Sequence, residues 1–276
     1  MNQKVSIIVP TYNSSTTLER CLQSIREQSI PCELIVVDNF STDNTVVIAR
    51  KFADQVYQTG PERSAQRNYG LHRANCSVVG FIDSDMRLEP DVAAHAYSRI
   101  MSGDSGVVVP EYTIGSTYWA RVRAFERGMY LGVAAVEAAR FFPRLLVLEL
   151  GGYDERLTGG EDWDLDVRVR KHGRVGRTVA QIEHDEGAVR LLDAWRKKAY
   201  YADGYLAFTS TYGAASMLKI ILQWPYVRTP WRLFNPLGPG LIVLKVGEGA
   251  AIAFHLLRKA IATKFKFRGI ERNTKE

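Results

Sequence analysis

Residues 4–9 (KVSIIV) form a continuous apolar run rich in β-branched side chains and closed by Pro10, the pattern of a strand buried on both faces. Such a strand needs helices above and below it, so this one segment commits the chain to a layered α/β architecture. The next residues repeat the theme. After a polar loop over 11–17, Thr16 or Thr17 is placed to cap a helix running through Gln28 on Leu18, Leu22 and Ile25. Residues 34–37 read as a second buried strand ended by Asp38, 43–53 as a helix, 55–57 as a short strand, 63–74 as a helix, and 78–82 as a strand that ends at Asp83. This alternation predicts an open, mostly parallel sheet flanked by helices, in which ligands sit at the carboxyl ends of the strands.

Beyond Asp85 the pattern loosens. A helix is expected over 91–102, a strand over 106–109, a helix over 116–128 and an apolar segment over 142–150. The glycine-driven turn LGGYDERL (150–157) leads through TGGEDWDLD (158–166) into a helix ending near Lys171, with Gly173 as its stop. Residues 177–183 read as a strand followed by His184.

Charge divides the chain. Up to Glu186 there are 21 Lys and Arg against 25 Asp and Glu; from Gly187 on there are 15 against 5, so the net +6 belongs to the tail. That tail also carries 13 of the 29 aromatic residues and has no acid between Asp203 and Glu248. Basic, aromatic and apolar residues together point to a membrane surface, where anionic headgroups attract Lys and Arg while Trp and Tyr settle at the interface. The alternative is a basic subdomain that packs on the first. Nucleic acid is not expected as a partner, because the basic surplus alternates with long apolar stretches and carries no recognition motif. Two apolar stretches, 205–224 and 240–261, are joined by PYVRTPWRLFNPLGP. The first contains Lys219; in the second, Lys245, Glu248, His255 and Lys259 fall near one helical face. A spanning hairpin would carry Arg228 and Arg232 across the bilayer, so interfacial or partly inserted helices are favoured. The expected division is a catalytic domain over 1–200 and a membrane-associated helical region over 201–276.

With 46% hydrophobic and 24% charged residues, disorder, collagen and a multi-span transporter are excluded. Cys21, Cys32 and Cys76 have neither pairing nor metal-ligand spacing, and no signal segment opens the chain, so a reducing, cytoplasmic setting is expected.

Three clusters could carry chemistry. Asp83-Ser84-Asp85 places two carboxylates directly after an apolar strand, where they can hold a divalent cation and leave its other positions to water or a diphosphate; a solvated loop gives the same pattern. Asp38 can accept from a nucleobase NH or a ribose hydroxyl, with Tyr12 as a stacking face, although an Asp after a strand is also a common turn residue. Gly159-Gly160-Glu161-Asp162-Trp163 opens a helix, and the five acids from Glu155 to Asp166 exceed what capping requires. There is no Gly-x-Gly-x-x-Gly after the first strand and no Gly-x-x-x-x-Gly-Lys-Ser/Thr anywhere, which removes a Rossmann dehydrogenase and a phosphate-loop NTPase.

In order along the chain, SIIVPTYN (6–13), ELIVVDN (33–39) with STD (41–43), QRNYG (66–70), DSD (83–85), GGYDE (151–155) and GEDWDL (160–165) resemble the inverting family 2 glycosyltransferases of GT-A fold over about residues 5–186. The resemblance implies a Rossmann-like, mostly parallel sheet flanked by helices and a nucleotide-sugar donor, GDP- or UDP-linked. It further implies that Pro10, Thr11, Tyr12 and Asp38 form the nucleotide pocket and that Arg67 faces the nucleotide or its diphosphate. Asp83, Asp85 and His184 correspond to metal ligands for Mn2+ or Mg2+, with Asp85 the direct ligand and Asp83 nearer the ribose. Asp162 corresponds to the general base, with Glu161 in support. The segment Arg190–Lys198 lacks the Gln-x-x-Arg-Trp of cellulose-synthase-like members, which argues against a processive polymerase. There Trp195, Arg196 and Lys197 either close over the diphosphate or sit at lipid headgroups.

With its basic, aromatic tail the chain resembles enzymes that glycosylate polyprenyl-linked acceptors, and the resemblance implies transfer of one sugar, mannose being one candidate, to a polyprenyl-linked glycan at the cytoplasmic face of the cell membrane. A dolichyl-phosphate mannose synthase-like transfer to polyprenyl phosphate is the alternative, and a nucleotide-binding scaffold without catalysis is a third reading.

Overall fold

The computed structural model describes residues 3–134, 136–216, 218 and 225–273. In the first half the elements follow the expected alternation: β1 (Val5–Thr11), α1 (Leu18–Arg26), β2 (Cys32–Asp38), α2 (Thr45–Phe52), β3 (Gln55–Gln58), α3 (Arg63–Arg73) and β4 (Val78–Phe81). The second half runs β5 (Met86–Leu88), α4 (Val92–Met101), β6 (Gly106–Val108), β7 (Glu111–Ile114), α5 (Tyr118–Tyr130), β8 (Phe141–Pro143), α6 (Arg144–Glu149), α7 (Glu161–Arg170), β9 (Val175–Arg177), β10 (Ile182–Asp185), α8 (Leu191–Tyr200) and α9 (Ala202–Tyr212). A short helix (Pro225–Arg228) and a 3-10 turn (Pro230–Phe234) precede the long C-terminal helix, Gly238–Asn273.

Seven strands form the main sheet in the order β3-β2-β1-β4-β8-β6-β9. β1 pairs in parallel with β2 and β4, and β6 with β9; β8 runs against both its neighbours, so the sheet is mixed and mostly parallel. Every residue of β1 and β2 is buried, as the apolar runs require. Ile7 and Val9 pack with Leu18 and Leu22 in one core, while Ile8 packs with Leu71 and Phe81 in another on the opposite face. The register sets Thr11 beside Asp38 and Ile8 beside Phe81, so Pro10, Asp38 and the Asp83 loop end on one rim.

Three expectations are corrected. The apolar segment 142–150 divides at Pro143 into β8 and α6, because a short antiparallel strand inserts between β4 and β6. The strand expected over 177–183 is two strands, β9 and β10, and His184 lies inside β10 rather than after it. β10 belongs to a second sheet, β5-β10-β7, whose three- and four-residue strands are too short to produce a readable period in sequence. The first apolar stretch of the tail is helical in α9 up to Tyr212; its Lys219 and Trp224 lie outside the described residues.

A third, smaller core joins α5, α8 and the C-terminal helix through Val122, Ala194, Leu241 and Leu244. The helices of the tail are thereby fixed beside the sheet's carboxyl rim.

Candidate active site

The rim encloses a cavity of about 640 Å³. Its sheet side is lined by Pro10, Thr11, Tyr12, Asp83, Asp85, Glu161, Asp162 and His184, and its helical side by Arg123, Arg127, Arg190, Lys197, Lys198, Tyr201 and Tyr205. Residues as distant in sequence as Asp83 and Asp162 therefore share one space. Gly160 makes this possible at the start of α7: its φ of 84° turns the chain in the left-handed region, which aims Glu161 and Asp162 inward. Gly204 of α9 lets that turn approach closely, since a Cβ there would meet the Gly159 nitrogen at 2.3 Å.

Arg67 on α3 organises the acids. It is 1% exposed and bonds Asp83 Oδ1 at 2.8 Å and Asp162 Oδ1 at 3.0 Å, with Glu161 at 3.6 Å. The sequence placed Arg67 against the nucleotide; the structure places it behind the cavity wall, with Tyr153 under its guanidinium. Burial would raise the pKa of Asp83, but Arg67 and Arg140 outweigh it and hold the carboxyl far below its usual range. Glu161 moves the other way, raised by burial and by the adjacent Asp162 charge, while Arg63 pairs with it at 3.0 Å.

Asp85 has different company. Its Oδ2 lies 3.2 Å from His184 Nε2, and its buried Oδ1 has no hydrogen-bond partner among the described residues. Two carboxylates, Asp85 and Glu111, favour a second proton on the imidazole against its burial, yet Arg127 comes within 2.8 Å of Nδ1. A guanidinium can only donate, so the close contact requires Nδ1 bare and the hydrogen on Nε2, facing Asp85. An orphaned hard oxygen beside an imidazole nitrogen fits a divalent cation, which would take Nε2 and shift the single ring hydrogen to Nδ1, toward Glu111 Oε2 at 3.4 Å, with Arg127 giving way. Among the described residues no third His, Cys, Asp or Glu completes a cluster, which leaves the remaining positions to water or ligand oxygens. Asp83, grouped with these ligands in sequence, is instead turned to Arg67 and Arg140.

Asp38 is also placed differently from expectation. It is fully buried, and both oxygens are occupied: Oδ1 accepts from Thr11 Oγ1 at 3.1 Å and from the Ser41 hydroxyl, Oδ2 from Ser41 N at 2.8 Å and Gln58 Nε2 at 3.1 Å. It braces the loops that carry Thr11 and Tyr12, and Tyr12, 61% exposed, stands at the mouth. Of the α8 candidates, only Lys197 lines the cavity. Trp195 donates to the Leu244 carbonyl at 3.1 Å and packs on the C-terminal helix; Arg196 is exposed and pairs with Asp193 at 3.2 Å. The sequence reading missed Lys198, whose pKa burial lowers to about 8, and the cavity arginines 63, 123, 127, 140 and 190. Single basic residues on helices carry no spacing that sets them apart from a solvated face.

A second cavity of about 210 Å³ adjoins the first and shares Arg127, Arg140, Asp162 and Trp163 with it. Tyr130, Leu131, Val136, Glu137 and Tyr153 line its far side. Asp162, with its side chain 41% exposed, stands between the two spaces.

Residues 6–143, half of the chain, match the family described as Glycosyl transferase family 2. The chain belongs to that family. Among curated proteins it is 32% identical over 119 residues to Glycosyltransferase GlyA of Streptococcus pneumoniae, covering 41% of this chain and 17% of GlyA. It is 34% identical over 96 residues to the GalNAc(5)-diNAcBac-PP-undecaprenol beta-1,3-glucosyltransferase of Campylobacter jejuni, covering 31% of this chain and 30% of that protein. The matches thus span well under two thirds of these relatives' length. Among solved structures, the mannosyltransferase PcManGT from Pyrobaculum calidifontis, in complex with GDP-Man and Mn2+, superposes with a TM-score of 0.59 at 21% identity, over 95% of this chain and 80% of that one. That likeness establishes the shared GT-A fold.

Proposed function

We propose that this chain is an inverting, divalent-metal-dependent glycosyltransferase that moves a sugar, with mannose the first to test, from a UDP- or GDP-linked donor to a hydroxyl of a polyprenyl-linked glycan. Residues 1–200 form the catalytic domain in this reading, and 201–276 associate with the cytoplasmic face of the cell membrane. The observation that carries it is the position of Asp162 between two cavities, its Oδ1 held by Arg67.

The larger cavity takes the donor, with the nucleoside near Pro10, Thr11 and Tyr12 and the diphosphate toward Lys197 and Lys198. Asp85 and His184 would hold the cation, which when bound neutralises charge developing on the departing diphosphate; a nitrogen ligand favours Mn2+ over Mg2+. The smaller cavity, with its aromatic and carboxylate lining, takes the acceptor sugar. Asp162 Oδ2 accepts the hydroxyl proton, the freed oxygen bonds to the anomeric carbon from the face opposite the diphosphate, and the anomeric C–O bond breaks with its electron pair leaving on phosphate. Arg67, 3.0 Å from Oδ1, keeps Asp162 aimed.

Two features count against the other readings. Most cavity arginines are already paired, Arg63 with Glu161, Arg123 with Glu126 and Glu248, and Arg127 with Glu186, so the spare positive charge suits one diphosphate better than a diphosphate plus an acceptor phosphate. Membership of an enzyme family with the acids intact weighs against a scaffold. The purified chain is tested with Mn2+ or Mg2+ against a panel of UDP- and GDP-sugars and polyprenyl-linked acceptors, with product read by mass spectrometry. The absence of turnover with every donor, together with an unchanged profile for Asp85→Ala, overturns the proposal.

A further inference from the structure

The C-terminal helix has its polarity reversed relative to a soluble surface helix. Four of its polar side chains are tied to the protein, while Arg258 is exposed: Lys245 pairs with Glu126 at 2.8 Å and Glu248 at 2.5 Å, Glu248 with Arg123 at 3.0 Å, and Lys259 and His255 with Asp203 at 2.8 and 3.5 Å. Its outer face presents Ile242, Val243, Val246, Phe254, Leu257 and Ile261, each close to half exposed or more. Just before the helix, Trp231 and Phe234 stand 63% and 91% exposed, flanked by exposed Arg228 and Arg232.

By length and composition, Gly238–Ala262 could cross a membrane, at a mean hydropathy of 1.6. The ion pairs oppose it. From Lys245 to Lys259 the helix is strapped to α5 and α9 over about 21 Å at 1.5 Å per residue, most of the ~30 Å hydrocarbon thickness. A crossing would drag Glu126, Arg123 and Asp203 into hydrocarbon or leave their partners unpaired there.

We infer that the C-terminal helix lies in the plane of an anionic phospholipid surface, its outer apolar face and the Trp231–Phe234 corner inserted among the acyl chains, without spanning the bilayer. Charge selects lipid as the occupant: Arg228 and Arg232 flank the apolar corner, and the tail carries 15 basic against 5 acidic residues. A symmetric pairing with a second copy would set this basic patch against itself. The inference rests on the membrane part of the reading above and gives it a geometry that brings the cavity's helical wall beside the headgroups.

The full chain is floated with sealed vesicles made from equal parts of phosphatidylglycerol and phosphatidylcholine, and with phosphatidylcholine alone. Binding to the anionic vesicles is expected, and Val246→Glu combined with Leu257→Glu should weaken it about 10-fold or more while UDP or GDP binding is retained. Trypsin added outside the vesicles should cut at Lys264, Lys266, Arg268 and Arg272. A protected C-terminus means a span and overturns the inference. So does flotation that the double variant leaves unchanged, or a lipid-independent dimer that the double variant dissociates. A chain that floats as described but transfers no sugar leaves this inference standing and defeats the activity.

Discussion

The strand-end rim and the C-terminal helix both bury charge, and they use it oppositely. At the rim, Arg67 sits behind the cavity wall and gathers Asp83, Glu161 and Asp162 on the lining, so that one carboxylate oxygen stays available to a ligand. On the helix, Lys245 and Glu248 close a ring with Glu126 and Arg123 that turns these charges inward and leaves Ile242, Val243 and Val246 on the outer surface. Neither cluster is strong evidence for stability, since desolvation offsets much of the Coulomb attraction. Each fixes the place of a surface: one reactive, one lipid-facing.

The largest effect expected from breaking this contrast is at Asp162. Asp162→Asn keeps a hydrogen-bond acceptor for Arg67 and removes the base, so kcat should fall about 10²–10⁴-fold with nucleotide affinity little changed, in steady-state kinetics and calorimetry. Near-normal turnover with polyprenyl phosphate as acceptor would instead favour a reaction that needs no base. Next comes Arg67→Met, which leaves three carboxylates facing one another; a stability loss of about 3–5 kcal/mol in denaturant unfolding is expected, together with loss of activity. The matching change on the other side, Lys245→Met, should cost about 3 kcal/mol by the same mechanism yet spare nucleotide binding, because Lys245 lies outside the cavity lining. Equal damage to nucleotide binding from both changes would erase the distinction.

A smaller effect is set by pH. Burial lowers the Lys198 pKa to about 8, so the side chain is charged toward the cavity below that pH and neutral above it. Affinity for UDP or GDP should therefore fall as pH rises through 8, by up to about 10-fold, and Lys198→Met should flatten that profile in calorimetry. Smallest of all is Arg196→Ala: the side chain is exposed and outside the cavity, so stability should stay within about 0.5 kcal/mol and nucleotide affinity should hold, whereas Lys197→Ala should weaken it.

Legibility in sequence followed the physics of each element. β1 and β2 were readable because a strand buried on both faces needs an unbroken apolar run, and Pro10 and Asp38 marked their ends by interrupting it. The short sheet β5-β10-β7 was not readable, because three or four residues cannot display a period, and His184 was therefore placed after a strand instead of within one. Among candidate site residues, Tyr12, Asp85 and Asp162 line the cavity. Asp38 and Arg67 were read as ligand contacts from their positions in motifs, but their partners, Thr11, Ser41 and Gln58 for one and three distant acids for the other, appear only when strands and helices pack.

By itself the sequence determined the layered α/β class, the rim on which chemistry collects, and the concentration of basic, aromatic and apolar residues in the tail. These follow from patterns local enough to be carried by neighbouring residues. Tertiary structure alone decided which carboxylate remains open to a ligand and which is locked by arginine, and which way the C-terminal helix turns its charges. Both depend on contacts between groups many tens of residues apart, and a charge's role is set by whichever partner the fold brings within about 3–4 Å of it.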